Sequence, residues 1–208
     1  MPPHALLRRL ARAERRFTEH RRAAAGRWFD LRLGVRTETG LVHQTRVDGG
    51  TPYQPSWPGL VRRTARLLRL GPGDVVLDAG SGLGRVPFAL AACSPVRTAI
   101  GVEADRELHE AALRNLGAVR TRLPGRDIRL RHGDVTAQAL PDEVTVVYLF
   151  NPFDRAGTAR LLERIEESLA RRPRTLTVAY LCPAHGEVFT GAGFRLATPT
   201  PYLHLYRR

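Results

Sequence analysis

The segment VVLDAGSGLGRV, residues 75–86, decides the fold. Its first half is an apolar run of strand type, and its second half places glycine at 80, 82 and 84, every second position. Side chains there would hold the backbone amides away from an incoming ligand, so the spacing marks a turn built for close approach. An acid, Asp78, heads the turn.

Downstream of this turn the chain alternates in a regular way. A helix is predicted from about Arg85 to Ala92, then the strand TAIGVE, a helix opened by Asp105 and closed at Gly117, and the strands IRLRHGD and VTVVYLF. A helix from about Arg155 to Ala170 follows, with Leu161, Leu162, Ile165 and Leu169 on one face, and then the strand TLTVAYL. Runs such as VTVVYLF are apolar on both faces, which suits central parallel strands covered by helices on each side. The expected fold is therefore α/β, a doubly wound, mostly parallel sheet. Ligands in such sheets bind outside the carboxyl ends of the strands, where strand order reverses. The tail GFRLATPTPYLHLYRR carries two short strand patterns around a proline-containing turn and predicts a closing antiparallel hairpin.

Upstream, Ser56 is expected to cap a helix beginning at Trp57 and Pro58, with Leu60, Val61, Leu67 and Leu68 on one side. Residues 4–29 predict an amphipathic helix whose face is Leu6, Leu10, Ala13, Phe17, Ala24 and Trp28. Residues 30–55 lose periodicity, and a connection of that length is a candidate for substrate contact. The domain reading is residues 1–55 as an N-terminal helix and irregular cap, and 56–208 as the main domain.

Composition excludes little beyond the extremes. Hydrophobic residues make up 43% and charged residues 25% of 208, as in ordinary globular chains. No apolar run approaches the roughly 20 residues that span a bilayer. The basic N-terminus lacks the apolar core and cleavage site of a secretory signal, which points to a cytoplasmic protein. Cys93 and Cys182 read as reduced, half-buried thiols, and no His or Cys spacing resembles a metal site. The net charge of +13 invites a nucleic-acid partner. All 33 basic residues are arginine, however, and they run along the whole chain, so compositional bias accounts for the charge as well and nucleic acid is not favoured.

The second strand ends in Glu103, placed to accept hydrogen bonds from a ribose diol. A nicotinamide dehydrogenase also uses glycines and an acid at these positions, but its fingerprint requires glycine where this chain has Arg85. Asp78 beside the turn also opposes a pyrophosphate and suits a ligand with a cationic amino-acid end. S-adenosylmethionine is such a ligand.

Here the chain resembles the class I S-adenosylmethionine-dependent methyltransferases, over roughly residues 53–208. The resemblance implies a Rossmann-like domain in which LDAGSGLGR, including Asp78, Gly80, Ser81, Gly82 and Gly84, contacts the methionine portion, Glu103 in GVEAD binds the ribose, and Asp134 in RHGDV binds the adenine amino group. LFNPF stands where the fourth strand delivers its motif to the catalytic face. A closer resemblance is to a group of small bacterial methyltransferases with Tyr-x-Pro-Ser/Thr and Phe-Asn-Pro-Phe motifs, here Tyr53, Pro55 and Ser56, and Phe150 to Phe153. CPAH, with Pro183 and His185, stands where that group carries NPVH.

Methyl transfer needs alignment and a dry pocket more than a protein nucleophile. Asn151 is the candidate for orienting the acceptor, with Tyr53 and His185 as further catalytic candidates contacting the methionine end or moving a proton. Tyr53 and Asn151 are also cofactor-binding candidates. Methyltransferases acting on base amino groups often carry N/D-P-P-F/Y after the fourth strand, and this chain has N-P-F-D. The leading expectation is a nitrogen or oxygen acceptor on a small molecule or protein, lysine included. The alternatives are RNA or DNA methylation, or a basic binding module without turnover. Sequence leaves the oligomeric state open.

Overall fold

The computed structural model describes residues 20–38 and 53–208. After a helix over 20–33 (α1) come α2 (Pro58–Leu68), β1 (Val75–Ala79), α3 (Arg85–Cys93), β2 (Thr98–Glu103), α4 (Arg106–Arg122) and β3 (Asp127–His132). Then follow β4 (Val146–Phe150), α5 (Arg155–Arg171), β5 (Thr177–Leu181), α6 (Glu187–Gly191), β6 (Arg195–Pro199) and β7 (Leu203–Arg207). Seven strands form one sheet in the order β3-β2-β1-β4-β5-β7-β6. The first five run parallel, and β7 and β6 close the edge antiparallel. This is the doubly wound sheet with a terminal hairpin that the strand patterns predict. Order reverses between β1 and β4, so the carboxyl ends of those two strands form the ligand crevice.

Two apolar clusters cover the faces of the sheet. One joins α1 through α4 with the sheet, using Phe29, Leu33, Val61, Ala65, Phe88 and Leu116. The other lies under α5 and α6, where Leu161, Ile165 and Phe189 are fully buried. Every residue of β1 and β5 is buried, which explains their unbroken apolar patterns.

Helix ends follow their local chemistry. Asp105 and Asp154 cap α4 and α5, the Asp105 carboxylate accepting from the amides of Glu107 and Leu108 and the Asp154 carboxylate from Gly157. Ser56 does not cap α2 as expected: Trp57 holds that position without a side-chain bond, while Ser56 is buried and its Oγ accepts from the Tyr148 hydroxyl at 3.3 Å. Nor does α4 stop at Gly117. It continues to Arg122 because Val119 keeps the apolar face buried, and one helical glycine costs only about 1 kcal/mol against alanine.

The N-terminal helix differs more. Its expected stretch 4–19 lies outside the described residues. In α1, Ala24 and Trp28 are exposed, Trp28 at 61%, while Gly26, Phe29 and Leu33 are buried. The buried stripe is thus displaced from the expected one, because Asp30 turns inward to an ionic partner and brings Phe29 and Leu33 with it. The helix also runs to residue 33, four beyond the expected end. Cys93 and Cys182 are exposed free thiols where half-burial was expected; each follows the last buried turn or strand of its element. The short α6 has no counterpart in the sequence reading. No described helix is long and apolar enough to cross a membrane.

Candidate active site

β1 delivers Asp78, 4% exposed, to the carboxyl edge of the sheet, and the chain then turns away through three glycines in the left-handed region: Gly80 (φ 81°), Gly82 (φ 52°) and Gly84 (φ 86°). The turn is pinned to β2. The amides of Gly80 and Ser81 both donate to the Val102 carbonyl at 3.0 Å, and the Gly82 amide donates to Glu103 Oε2 at 2.7 Å. At Gly82 a second constraint applies, since the Tyr53 ring occupies the space a Cβ would need. Only glycine satisfies both its backbone angle and that contact.

A cavity of about 720 Å³ opens at these strand ends. Asp78, Gly80, Ser81 and Glu103 form one wall. Asp134 follows β3, and Asn151 with Phe153 follows β4; these and Tyr53 also line it. Seven of the sequence-derived candidates therefore converge. Gly82 and Gly84 shape the turn from behind and do not line the cavity, and His185 does not line it either: its Nδ1 faces Glu187 at 4.0 Å.

The acids sit in distinct surroundings. Glu103 is 6% exposed, and its second oxygen accepts from the Asp105 amide at 2.8 Å, so backbone donors fix the carboxylate in place. Burial raises its pKa, and those amides oppose the shift. Burial holds the Asp78 carboxyl well above the usual carboxylate range, and Glu103 pushes it the same way. Asp134 accepts from the amide and hydroxyl of Thr136, both at 2.8 Å to the same oxygen, Oδ1. Two buried carboxylates in one wall demand a cationic or multiply donating ligand.

Asn151 stands at φ 45°, an unusual conformation for a side-chain-bearing residue at a strand end. Its Oδ1 accepts from the buried Tyr180 hydroxyl at 3.1 Å, which fixes the amide plane. Cys182 at the end of β5 has φ 48° and lines the same cavity.

Sequence reasoning missed the most buried arginine among the described residues. Arg85 opens α3 and is 2% exposed. Its guanidinium meets Glu38 at 2.5 Å and Asp30 at 3.7 Å, and its Nε donates to Thr37 Oγ1 at 2.7 Å. Asp30 also accepts from the amides of Thr37 and Glu38, and the Tyr53 hydroxyl donates to the Thr37 carbonyl at 3.0 Å. A cation at a helix N-terminus opposes the helix dipole, and here Asp30 from α1 and Glu38 from the segment after it offset that. The signal was present as an arginine heading the apolar run VPFALAA, with acids in a segment read as irregular. Arg22 and Trp57 were also missed: both line the cavity, and the guanidinium lies 3.4 Å over the indole. Among the described residues no group of three or more His, Cys, Asp or Glu stands close enough to hold a metal ion.

No protein-family profile matches the chain. A stretch of 76 residues, 36% of the chain, is 41% identical to part of ribosomal RNA small subunit methyltransferase A from Moorella thermoacetica. The match covers 23% of that protein, so the chain spans less than a quarter of the length of the curated relative it matches. Among solved structures it is similar to an RNA methyltransferase from Salinibacter ruber in complex with S-adenosyl-L-homocysteine, at TM-score 0.53 and 21% identity over 74% of this chain and 92% of that one. A candidate RNA methyltransferase from Pyrococcus horikoshii matches at TM-score 0.56 and 16% identity over 87% and 96%. The pyocyanin biosynthetic protein PhzM matches at TM-score 0.57 and 18% identity over 71% and 54%. The fold is accordingly the Rossmann-like fold of the Salinibacter ruber methyltransferase and the other matched structures.

Proposed function

We propose that this chain, built on that fold, is an S-adenosylmethionine-dependent methyltransferase whose acceptor is a nitrogen on an RNA base. The observation that carries the cofactor reading is Asp78, a buried carboxylate facing the cavity that receives no hydrogen bond among the described residues. An ammonium group satisfies it, and the ribose diol satisfies the remaining acceptor capacity of Glu103.

In this reading Asp78 and the Gly80–Ser81 backbone hold the methionine end, Glu103 the ribose and Asp134 the adenine amino group. When bound, S-adenosylmethionine supplies an electrophilic methyl carbon on a sulfonium. Tyr53 and Phe153 keep water from the transfer path. Asn151 accepts a hydrogen bond from the acceptor amine through its Oδ1 or its carbonyl, aiming the nitrogen lone pair at that carbon. His185 takes at most a supporting part, since it stands outside the cavity lining.

RNA replaces the sequence-based preference for a small molecule or protein because a 76-residue stretch is similar to a ribosomal RNA methyltransferase and two fold neighbours are described as RNA methyltransferases. The N-P-F-D order, without a second proline, and the likeness to PhzM support a small-molecule acceptor as the second reading. Incubation with labelled S-adenosylmethionine and fractionated bacterial extract separates them. Nuclease-sensitive label supports RNA. Label confined to metabolites or protein, with S-adenosylhomocysteine still bound by the enzyme, overturns it.

A further inference from the structure

The arginines run along the whole chain but are denser in its first third, where the acids are sparser. Residues 1–70 hold 15 of the 33 arginines and five of the 20 acids, while the remaining 138 residues hold 18 and 15. Within the described part of that region, residues 20–38 and 53–70 carry nine arginines against Asp30 and Glu38 alone. Both of those acids are turned inward to Arg85. Among the described residues, the outward faces of α1 and α2 are therefore cationic without interspersed acids: Arg27 and Arg32 on α1 and Arg62, Arg63 and Arg66 on α2 are all exposed. On α5, by contrast, Arg164 is paired with Glu163 and Glu167, and Arg171 with Asp142.

Two further features select among anionic partners. Trp28 projects from α1 at 61% exposure with the Arg32 guanidinium 5.4 Å from its ring centre. Where α1 meets α2, Arg22 lies over Trp57, and this pair lines the cavity that contains Asn151. Guanidinium and indole planes are surfaces on which nucleobases stack, and the arginines between them match a phosphate backbone. α1 and α2 share one apolar cluster through Phe29, Leu33, Val61 and Ala65, so the two cationic faces are parts of one body.

We propose that the outer faces of α1 and α2 form the binding surface for a single-stranded segment of the RNA substrate, with Arg22 and Trp57 stacking the bases at the point where the strand enters the cavity. The inference rests on the RNA reading above and adds to it the location and the recognition chemistry.

The test is binding of a labelled single-stranded RNA of about 20 nucleotides by fluorescence anisotropy, from about 50 to 200 mM salt. The probes are wild type, R62A/R63A/R66A, and a control R172A/R195A/R207A drawn from exposed arginines elsewhere. The surface predicts that the α2 variant weakens binding at least tenfold at low salt and flattens the log–log salt slope by about 2, since each lost phosphate contact is worth about 0.7 on single strands. The control keeps the wild-type slope, and both variants keep S-adenosylhomocysteine affinity. An unchanged slope in the α2 variant, an equal loss in the control, or equally tight binding to poly-L-glutamate of the same length overturns the proposal. The two readings fail separately: label entering RNA with binding unchanged in R62A/R63A/R66A removes the surface and keeps the acceptor, whereas loss of RNA binding in that variant with no label ever entering RNA does the reverse.

Discussion

Glu103 and Gly82 are 21 residues apart in sequence and joined at one atom pair, the Gly82 amide donating to Glu103 Oε2 at 2.7 Å. The acid that ends β2 therefore fixes the glycine turn before any ligand arrives, and ribose recognition and turn geometry depend on the same carboxylate.

Glu103→Ala should consequently affect two measurements. Loss of carboxylate hydrogen bonds worth about 1.5–3 kcal/mol each lowers S-adenosylhomocysteine affinity by roughly 100-fold in a calorimetric titration. Leaving the Gly82 and Asp105 amides without their acceptor lowers unfolding stability by about 1–3 kcal/mol in denaturant titration. Wild-type affinity in this variant would remove Glu103 from the cofactor site.

Asp78 predicts a pH dependence whose sign is fixed. Its folded pKa is raised, so the ligand-free protein holds this proton more tightly than the unfolded chain does. The stability it contributes is complete below the ordinary carboxylate pKa and is lost as pH rises through the folded value. Binding of a cationic ligand favours the ionised form, so S-adenosylmethionine affinity rises with pH across that same window and binding releases a proton. Asp78→Asn should flatten this component of both profiles, raise ligand-free stability at neutral pH and weaken S-adenosylmethionine about tenfold or more. Calorimetry in buffers of different ionisation enthalpy reads the proton directly; zero release in the wild type contradicts the assignment.

Arg85→Ala strands Asp30 and Glu38 against the body of the protein. Breaking one partner of a buried ion pair costs about 3–5 kcal/mol, and the lower end applies because Glu38 keeps 28% side-chain exposure. Chemical denaturation would measure the loss, and a value below about 1 kcal/mol would mean that the acids find water without difficulty.

Asn151 separates side chain from backbone. At φ 45° alanine is strained and glycine is not. Both Asn151→Ala and Asn151→Gly should retain S-adenosylhomocysteine binding and lose methyl transfer by at least about 100-fold if the side-chain amide orients the acceptor. Near-normal transfer by Asn151→Gly would assign the role to the backbone carbonyl.

Gly117 is a stability test remote from the chemistry. It lies exposed within α4, and a Cβ there would meet no atom within 4 Å. Gly117→Ala should raise unfolding stability by about 0.5–1 kcal/mol with cofactor affinity unchanged.

The sheet was legible because its central strands are buried on both faces and read as unbroken apolar runs, and because D-x-G-x-G-x-G leaves few backbone geometries. The cavity-lining acids were legible because each stands at or just past the carboxyl end of a strand. What escaped were contacts between segments distant in sequence. Nothing local to Arg85 names Asp30 or Glu38, 55 and 47 residues earlier. Periodicity alone chose the wrong stripe of α1 because Asp30, polar by type, is 9% exposed in an ionic cluster while Trp28 faces solvent. Gly117 and Ser56 were read by residue preference, which packing overrode in both cases.

The Arg85 cluster also bears on how this chain can be trimmed. A fragment starting at residue 53 would keep every strand of the sheet and every acid of the cavity, yet α3 would begin with a sequestered positive charge and without its partners Asp30 and Glu38. The segment 30–38 is thus part of the foundation of the glycine turn and its cavity, and shortened versions made for crystallisation should begin no later than α1.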